Sequence, residues 1–170
     1  GGMAFGTDAK MIEEITSKVK AVSKVPLIVK LSPNVTDIAE MAKAAEAGGA
    51  DAISLINTLL GMKIDINTRR PVLNNNMGGM SGPAVMPVAV RMVYQVRRAV
   101  KLPIIGMGGI TTGEDAVEFL LAGADAVSVG TAGIVDPYAW IKVRNGINDY
   151  LDKNGYESVN DIVGKLEMNN

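Results

Sequence analysis

The sequence has 170 residues, with 17 lysines and arginines against 18 aspartates and glutamates, and it contains neither cysteine nor histidine. A formal net charge of -1 argues against nucleic acid or an anionic membrane surface as the main partner. Without cysteine, the chain can form no disulfide, iron–sulfur cluster or thiol nucleophile. The sequence predicts neither a membrane span, which needs roughly 20 apolar residues, nor a signal peptide, so we expect a cytoplasmic protein.

The predicted elements alternate between helix and strand along the chain, which is typical of a parallel α/β fold. Apolar residues at three- and four-residue steps predict helices at 8–22, 36–47, 83–100, 112–122, 138–151 and 158–166. Short apolar runs predict buried parallel strands at 26–31, 51–56, 103–107 and 124–129. Residues 58–82 show neither pattern and are rich in Asn, Gly and Met, so they form a candidate functional loop.

An internal repeat relates the two halves of the chain. Residues 24–28 are followed by a predicted helix and then by residues 49–56. The same arrangement recurs with residues 101–105, a predicted helix and residues 123–130. The equivalent residues Asp51 and Asp125 are 74 positions apart. This period fits two consecutive strand–helix units, which favours a (β/α)8 TIM barrel over a doubly wound sheet. A whole barrel needs about 250 residues, so four strands account for half of one.

Glycine-rich loops follow the last two predicted strands, at Gly106 to Gly109 and at Gly130-Thr131. Active sites of such barrels lie at the carboxyl ends of the strands, and the loops after strands seven and eight often bind phosphate. Glycines let backbone N–H groups approach an anion, and the positive end of a following helix favours it, so we expect phosphate there. Residues 78–82, before Pro83, could add another cradle. The alternative is that these glycines only form tight turns.

Three polar residues at the ends of the first two strands are candidate ligand contacts. Lys30 ends an apolar strand, where its charge faces either a ligand or solvent at the rim. Asn57 and Thr58 end the next strand and are suited to hydrogen-bonding a planar polar substrate. They are equally suited to turns and helix caps. The residues alone leave both alternatives open.

Five segments together resemble a known enzyme family. They occur in order over essentially the whole chain, at residues 56–65, 78–83, 91–95, 106–110 and 129–132. They resemble the catalytic subunits of dihydroorotate dehydrogenases, most closely the NAD-linked class 1B type. The resemblance implies an FMN-dependent (β/α)8 barrel that oxidises dihydroorotate to orotate in pyrimidine (UMP) biosynthesis. In that subclass a separate FAD and Fe–S subunit passes the electrons to NAD.

The resemblance also implies roles for individual residues. Lys30 matches the family lysine at the flavin pyrimidine ring, where it would stabilise the negative charge of the reduced flavin. Asn57 and Thr58 match residues that hold the dihydroorotate or orotate ring. The other matched flavin contacts are Ile56 and Gly82 and, at the phosphate end, Gly108, Gly109, Gly130 and Thr131.

One departure from the family pattern concerns the catalytic base. In the family this base is a cysteine in the loop after the fourth strand, a few residues before the segment that resembles residues 1–6. We therefore expect residues 1–170 to be the C-terminal half of an FMN-binding barrel, with the N-terminal half absent and the Gly-Gly start belonging to the family sequence. Losing a base typically costs about 10²–10⁴-fold in rate, so we expect the chain alone to be inactive.

Half a barrel has two unpaired edge strands, so we expect an oligomer or a complex with the missing half. No metal site is expected. Two other functions stay open. A non-redox phosphate-binding barrel, such as a synthase or isomerase, shares the glycine loops but gives no reason for Lys30 beside Asn57 and Thr58. A flavin-binding half-barrel without turnover is physically plausible for this polypeptide taken alone.

Overall fold

A computed structural model describes residues 5–169 of the chain, and the predictions that concern the Gly-Gly start lie outside those residues. The described residues form six α-helices: α1 (Ala9–Val22), α2 (Ile38–Ala47), α3 (Met86–Ala99), α4 (Gly113–Ala122), α5 (Thr131–Val135) and α6 (Ala139–Asn154). They form eight strands: β1 (Ile28–Lys30), β2 (Ala52–Leu55), β3 (Leu59–Gly61), β4 (Ile64–Asp65), β5 (Arg70–Pro71), β6 (Gly78–Met80), β7 (Ile104–Met107) and β8 (Ala126–Ser128). Three 3-10 turns complete the order: Phe5–Thr7, Pro83–Val85 and Val159–Asp161.

Side-chain caps fix where the long helices begin. The Asp8 carboxylate accepts from the backbone N–H of Met11 at 2.9 Å and starts α1. Asp37, rather than Thr36, caps α2. Such caps satisfy N–H groups that have no partner within a helix. The predicted starts of these two helices are therefore confirmed, with Asp37 settling the choice of cap.

The central sheet has four parallel strands in the order β1-β2-β7-β8. Lys30 pairs with Ser54, Ser54 with Ile105, and Ile105 with Ala126, which gives one continuous row across the sheet. Consecutive helices touch in the series α1, α2, α3, α4 and α6, so they form a single layer beside the sheet. Strand order without reversal and helices in one layer are features of a barrel, whereas a doubly wound sheet carries helices on both faces.

The two faces of the sheet differ in exposure, because side chains alternate along a strand. Ile53 and Ile104 are fully buried in the core shared with the helices. Ile28 is 49% exposed on the opposite face, where Lys30 and Ser128 are exposed as well. Within residues 5–169, this second face is exposed at the edge strands β1 and β8, whereas Ser54 of β2 on the same face is buried. The predicted α/β fold, a partial (β/α)8 barrel, is confirmed.

The internal repeat corresponds to a repeated hydrogen-bond device at the amino-terminal edge of the sheet. In the first half, the carboxylate of Asp51 accepts from the N–H of Leu27 at 2.6 Å, and the N–H of Asp51 donates to the carbonyl of Leu27 at 2.9 Å. Lys20 of α1 donates to the same carboxylate at 2.6 Å. One aspartate therefore joins a helix, the start of one strand and the start of the next.

The second half uses the same device. The carboxylate of Asp125 accepts from the N–H of Ile104 at 2.7 Å and forms an ion pair with Arg97 of α3, while its own N–H donates to the carbonyl of Ile104 at 2.8 Å. Gly123 has a positive φ of 116°, and a Cβ there would lie 2.7 Å from Cβ of Arg97. Only a glycine at position 123 allows the Arg97 side chain of α3 to approach the backbone this closely.

Three regions differ from the sequence expectations. Residues 58–82 contain two small antiparallel ladders, β3 with β6 and β4 with β5, whose strands are too short to show a hydrophobic period. Helix α5, which has only five residues, is not among the predicted helices. The predicted last helix is only a 3-10 turn, because the chain turns at Gly164 and then donates from the Gly164 and Leu166 N–H groups to the end of α4.

The Asp125 device gives a stability prediction. Replacement of Asp125 by Ala leaves the part-buried N–H of Ile104 without its acceptor and removes the partner of Arg97. We expect the free energy of unfolding to fall by about 1–2 kcal/mol, measured from the urea midpoint at constant m. Asp149→Ala, on the exposed side of α6, is the control and should change stability by less than about 0.5 kcal/mol. Equal effects of the two variants would contradict the structural role of Asp125.

Candidate functional site

A pocket of about 440 Å³ opens at the carboxyl ends of β1, β2, β7 and β8. This volume lies within the range of small-molecule sites. Its lining includes every residue that the sequence singled out as a site residue: Lys30, Ile56, Asn57, Thr58, Gly82, Gly108, Gly109, Gly130 and Thr131. The structure therefore brings together residues that are up to 101 positions apart in the chain, and their individual roles stay predictions.

One end of the pocket presents a cation, an amide and a hydroxyl. Lys30 is exposed at the end of β1, and its side-chain ammonium forms no hydrogen bond or ion pair within the described part of the chain. Asn57 and Thr58 follow β2, and the N–H of Asn57 donates to the carbonyl of Leu31 at 3.1 Å. A Cβ at Gly79 of β6 would collide with the Thr58 side chain, so the strand backbone packs directly on it. These three side chains can contact a planar polar ligand together.

The other end of the pocket is built from glycines that bring two loops together. Gly109 has a φ of 85°, and a Cβ there would lie 2.8 Å from both the carbonyl oxygen of Gly82 and Cβ of Met86. Only glycine permits this approach without displacing the loop before α3. By contrast, a Cβ at Gly82 or Gly130 would meet no atom within 4 Å. Those two residues therefore face free space in which a ligand can reach the backbone.

The start of α4 carries a carboxylate of its own. Thr112 and Asp115 form a capping box, in which the Asp115 carboxylate accepts from the N–H groups of Thr111 and Thr112 at 2.8 and 2.9 Å. Partial burial raises the pKa of Asp115, but the hydrogen bonds from Thr111 and Thr112 outweigh it and hold the pKa below 3.8. The Asp115 carboxylate offsets part of the positive end of α4, so the glycine loop that precedes Thr111 offers an anion backbone N–H groups that this carboxylate does not occupy.

Five polar residues of the pocket wall were not named as site residues from the sequence: Ser81, Thr111, Ser128, Asp136 and Lys142. The hydroxyl of Thr131 donates to that of Ser81 at 3.0 Å and joins the loop after β8 to the loop after β6. Lys142 of α6 donates to the carboxylate of Asp136 at 2.7 Å, and this hydrogen bond lowers the pKa of Asp136. No sequence signal marks these pairs, because the first spans fifty residues and the second joins two ordinary surface charges across the end of α5.

The charge of the pocket wall favours an anionic ligand. The wall contains two positively charged side chains, Lys30 and Lys142, and one negatively charged side chain, Asp136. Since Asp136 is already paired with Lys142, Lys30 supplies the uncompensated positive charge. Residues 5–169 contain no group of three or more acidic side chains placed to hold a metal ion. None of the helices in that range is long and apolar enough to cross a membrane.

The capping box gives a pH prediction. The folded-state pKa of Asp115 lies below its unfolded-state value, so its contribution to stability is complete above about pH 4 and is lost as the pH falls through the folded-state pKa. We expect the difference in unfolding free energy between wild type and Asp115→Asn to stay constant from pH 8 to 5 and to shrink below pH 4. Urea denaturation at each pH measures this difference. A difference that is independent of pH down to pH 2.5 would contradict the assignment, and Asp149→Asn controls for the loss of a charge.

Comparisons with known proteins agree with the resemblance drawn from the sequence. The family model described as dihydroorotate dehydrogenase matches residues 1–151. The catalytic subunit of dihydroorotate dehydrogenase B (NAD(+)) from Alkaliphilus oremlandii is 63% identical over 166 residues, which cover 98% of this chain and 55% of that protein. The subunit of the same name from Bacteroides fragilis is 60% identical over 99% of this chain and 55% of its own length. The chain thus spans about half the length of these curated relatives.

Two further similarities bear on subclass and fold. Dihydroorotate dehydrogenase A (fumarate) from Lactobacillus helveticus is 56% identical over 169 residues, again 99% of this chain and 55% of that protein. A crystal structure of DHODH from Eimeria tenella, in complex with ferulenol, superposes with a TM-score of 0.78 at 23% identity, covering 93% of this chain and 48% of that one. The structural match supports the fold, and the sequence matches support the family.

Proposed function

The chain belongs to the dihydroorotate dehydrogenase family, and on that premise we propose that residues 1–170 form the flavin- and substrate-binding half of an enzyme that oxidises dihydroorotate to orotate in pyrimidine biosynthesis. The observation that carries the proposal is the pocket that has Lys30, Asn57 and Thr58 at one end and the glycine loops at the other. This arrangement suits a long ligand with a phosphate at one end and a flat polar ring at the other.

The cofactor of the proposal is FMN, and the residues present fit it. Gly82 and Gly130 leave free space along the backbone where a Cβ would stand in other residues. The pocket wall carries an uncompensated positive charge from Lys30, which suits an anionic ligand. When bound, FMN would supply the hydride acceptor of the reaction. The non-redox phosphate-binding alternative gives no reason for Lys30, Asn57 and Thr58 to share one end of the pocket.

Each end of the pocket then has its own task in the proposal. The backbone of the glycine loops, at Gly108, Gly109 and Gly130, approaches the phosphate, with Thr131 beside it. Lys30 stands beside the ring as a fixed positive charge and stabilises negative charge that develops there. Asn57 and Thr58 hydrogen-bond the substrate ring and hold its reacting carbon against the flavin, since an amide and a hydroxyl offer both donors and acceptors.

The base that removes the substrate proton is not among the residues of the pocket wall. Its titratable side chains are Lys30, Asp136 and Lys142, and the last two are paired with each other. The chain contains no cysteine or histidine. We infer that the base comes from a part of the enzyme outside this sequence, as the family resemblance implies. The polypeptide alone would then bind its ligands without efficient turnover.

The same reasoning applies to the barrel and to the partner subunit. Strands β1 and β8 are the edges of the four-stranded sheet, and the face that carries Ile28 is exposed at both. We infer that further strands of the enzyme cover this face and make residues 1–170 one half of a barrel. The higher identity to relatives named NAD(+)-dependent catalytic subunits favours NAD as the final acceptor, reached through an FAD and Fe–S subunit. This choice is tested by measuring how fast the enzyme, with and without that subunit, reduces NAD and fumarate when dihydroorotate is the electron donor.

Flavin binding is tested by filling the pocket from the glycine end. Gly130→Leu places a side chain in free space of the pocket, whereas Gly133→Leu places one in free space of α5 outside the pocket wall. We expect Gly130→Leu to weaken FMN binding at least tenfold and Gly133→Leu to change it less than twofold. Retained flavin absorbance after desalting and quenching of FMN fluorescence measure binding. A colourless wild type after FMN addition, or equal binding by both variants, would contradict the proposed site.

The role of Lys30 is tested by the reduction potential of the bound flavin. Removing its positive charge in Lys30→Met should lower the two-electron midpoint potential by about 30–60 mV, which corresponds to about 1.4–2.8 kcal/mol. Lys63→Met, an exposed cation outside the pocket wall, should leave the potential unchanged. Equilibration with reference dyes in the FMN-loaded protein measures both. A lowered FMN affinity with an unchanged potential would contradict the position of Lys30 beside the ring.

A further inference from the structure

Asn34, in the loop after β1, makes a two-point bridge to the backbone that follows β2. Its Nδ2 donates to the carbonyl of Thr58 at 3.0 Å, and its Oδ1 accepts from the N–H of Leu60 at 2.9 Å. One donor and one acceptor directed at residues two positions apart are the contacts that a neighbouring strand would make. The carboxamide of Asn34 therefore replaces one strand residue and holds the backbone from Thr58 to Leu60.

The orientation of this carboxamide is fixed by a neighbour. The buried hydroxyl of Ser32 accepts from the backbone N–H of Asn34 at 3.2 Å and from its Nδ2 at 3.3 Å. Both Nδ2 hydrogens are then used, one on Ser32 and one on Thr58, and Oδ1 takes the N–H of Leu60. A carboxamide turned by 180° would place its NH₂ group against the Leu60 N–H and its oxygen against the Thr58 carbonyl. The hydrogen bonds thus permit one orientation only.

Asn34 reaches the pocket only through other residues. It is not part of the pocket wall, whereas Asn57 and Thr58 are. The Asn57 N–H is tied to the Leu31 carbonyl, Gly79 packs against the Thr58 side chain, and Asn34 takes the Thr58 carbonyl. Within the described residues, the loop after β1 thereby fixes the backbone on both sides of the two side chains at the ring end of the pocket.

We propose that Asn34 is a positioning residue for the ring-binding end of the pocket, and that its carboxamide sets the direction in which Asn57 and Thr58 present their hydrogen-bonding groups to the substrate ring. This inference rests on the proposed function for the identity of the ligand. The geometry itself does not depend on that ligand. A positional shift of even 1 Å in such groups weakens binding and catalysis strongly.

The variant Asn34→Asp makes the bridge depend on pH. A protonated carboxyl group can still donate to the Thr58 carbonyl and accept from Leu60, whereas a carboxylate cannot donate. The protonated form is populated only as the pH falls towards the ordinary pKa of an aspartate, about 3.9. In the FMN-loaded protein, we expect Asn34→Asp to bind orotate at least tenfold more weakly than wild type at pH 8. The ratio should fall to about half that value or less at pH 4, where the protonated form is populated.

The control is Asn154→Asp, because Asn154 also donates from Nδ2 to a backbone carbonyl, that of Tyr150, but lies far from the pocket wall. It should leave orotate affinity equal to wild type at both pH values. The change of flavin absorbance on orotate addition measures all three proteins. A loss of affinity in Asn34→Asp that does not change with pH, or unchanged affinity with only a lower Tm, would overturn the positioning role.

A second readout needs no ligand. In the Asn34→Ala variant we expect amide hydrogen exchange at Leu60 to accelerate at least tenfold at a temperature well below Tm, with exchange in α6 unchanged. If wild type binds FMN but no orotate, the proposed function fails while this measurement still decides the role of Asn34. Unchanged exchange at Leu60 would overturn the inference whether or not orotate binds.

Discussion

The architecture depends on two aspartates at the amino-terminal edge of the sheet. Asp51 and Asp125 each exchange two hydrogen bonds with one residue, Leu27 or Ile104, at the start of the neighbouring chain segment. A slip of the register by one residue would exchange the buried and exposed faces, so the hydrophobic pattern opposes it, and the two aspartates add a specific hydrogen-bonded tie. Because these aspartates fix the register at one edge, they also decide which residues meet at the opposite edge, where the pocket lies.

The two edges of the sheet are built by different chemistry, which separates stability from function. The amino-terminal edge uses charge, with Lys20 and Arg97 reaching down from helices to the aspartates. At the carboxyl-terminal edge, glycines let neighbouring segments approach closely. Gly109 lies against the carbonyl of Gly82, and Gly79 lies against the side chain of Thr58. Glycine loops and polar residues without protein partners contribute little to folding. They can be placed at the pocket because the opposite edge and the helix layer supply the stability.

Much of this could be predicted from the sequence, and the exceptions have a common cause. Helix boundaries followed from local caps such as Asp8, and the site residues followed from their positions at strand ends, which parallel topology brings together. The features that were missed depend on tertiary contacts between loops. The bridge from Asn34 to Thr58 and Leu60 spans more than twenty residues, and the pair of Asp136 and Lys142 forms only once α5 has turned the chain. The capping box at the start of α4 is different, because the Thr112 to Asp115 spacing is a capping signature that could have been read from the sequence.

The distribution of these contacts separates ligand binding from proton transfer. Backbone hydrogen bonds within residues 5–169 tie together the segments after β1 and β2 and the end of β7, from the Asn57 N–H to the Leu31 carbonyl and from the Ile56 N–H to the Met107 carbonyl. The shape of the pocket is therefore set inside this chain. If, as proposed, a base comes from elsewhere in the enzyme, it has only to approach a ligand that is already oriented, and the helix layer leaves the other face of the sheet free for that approach. Affinity for the ligands and the rate of proton removal can then be altered independently.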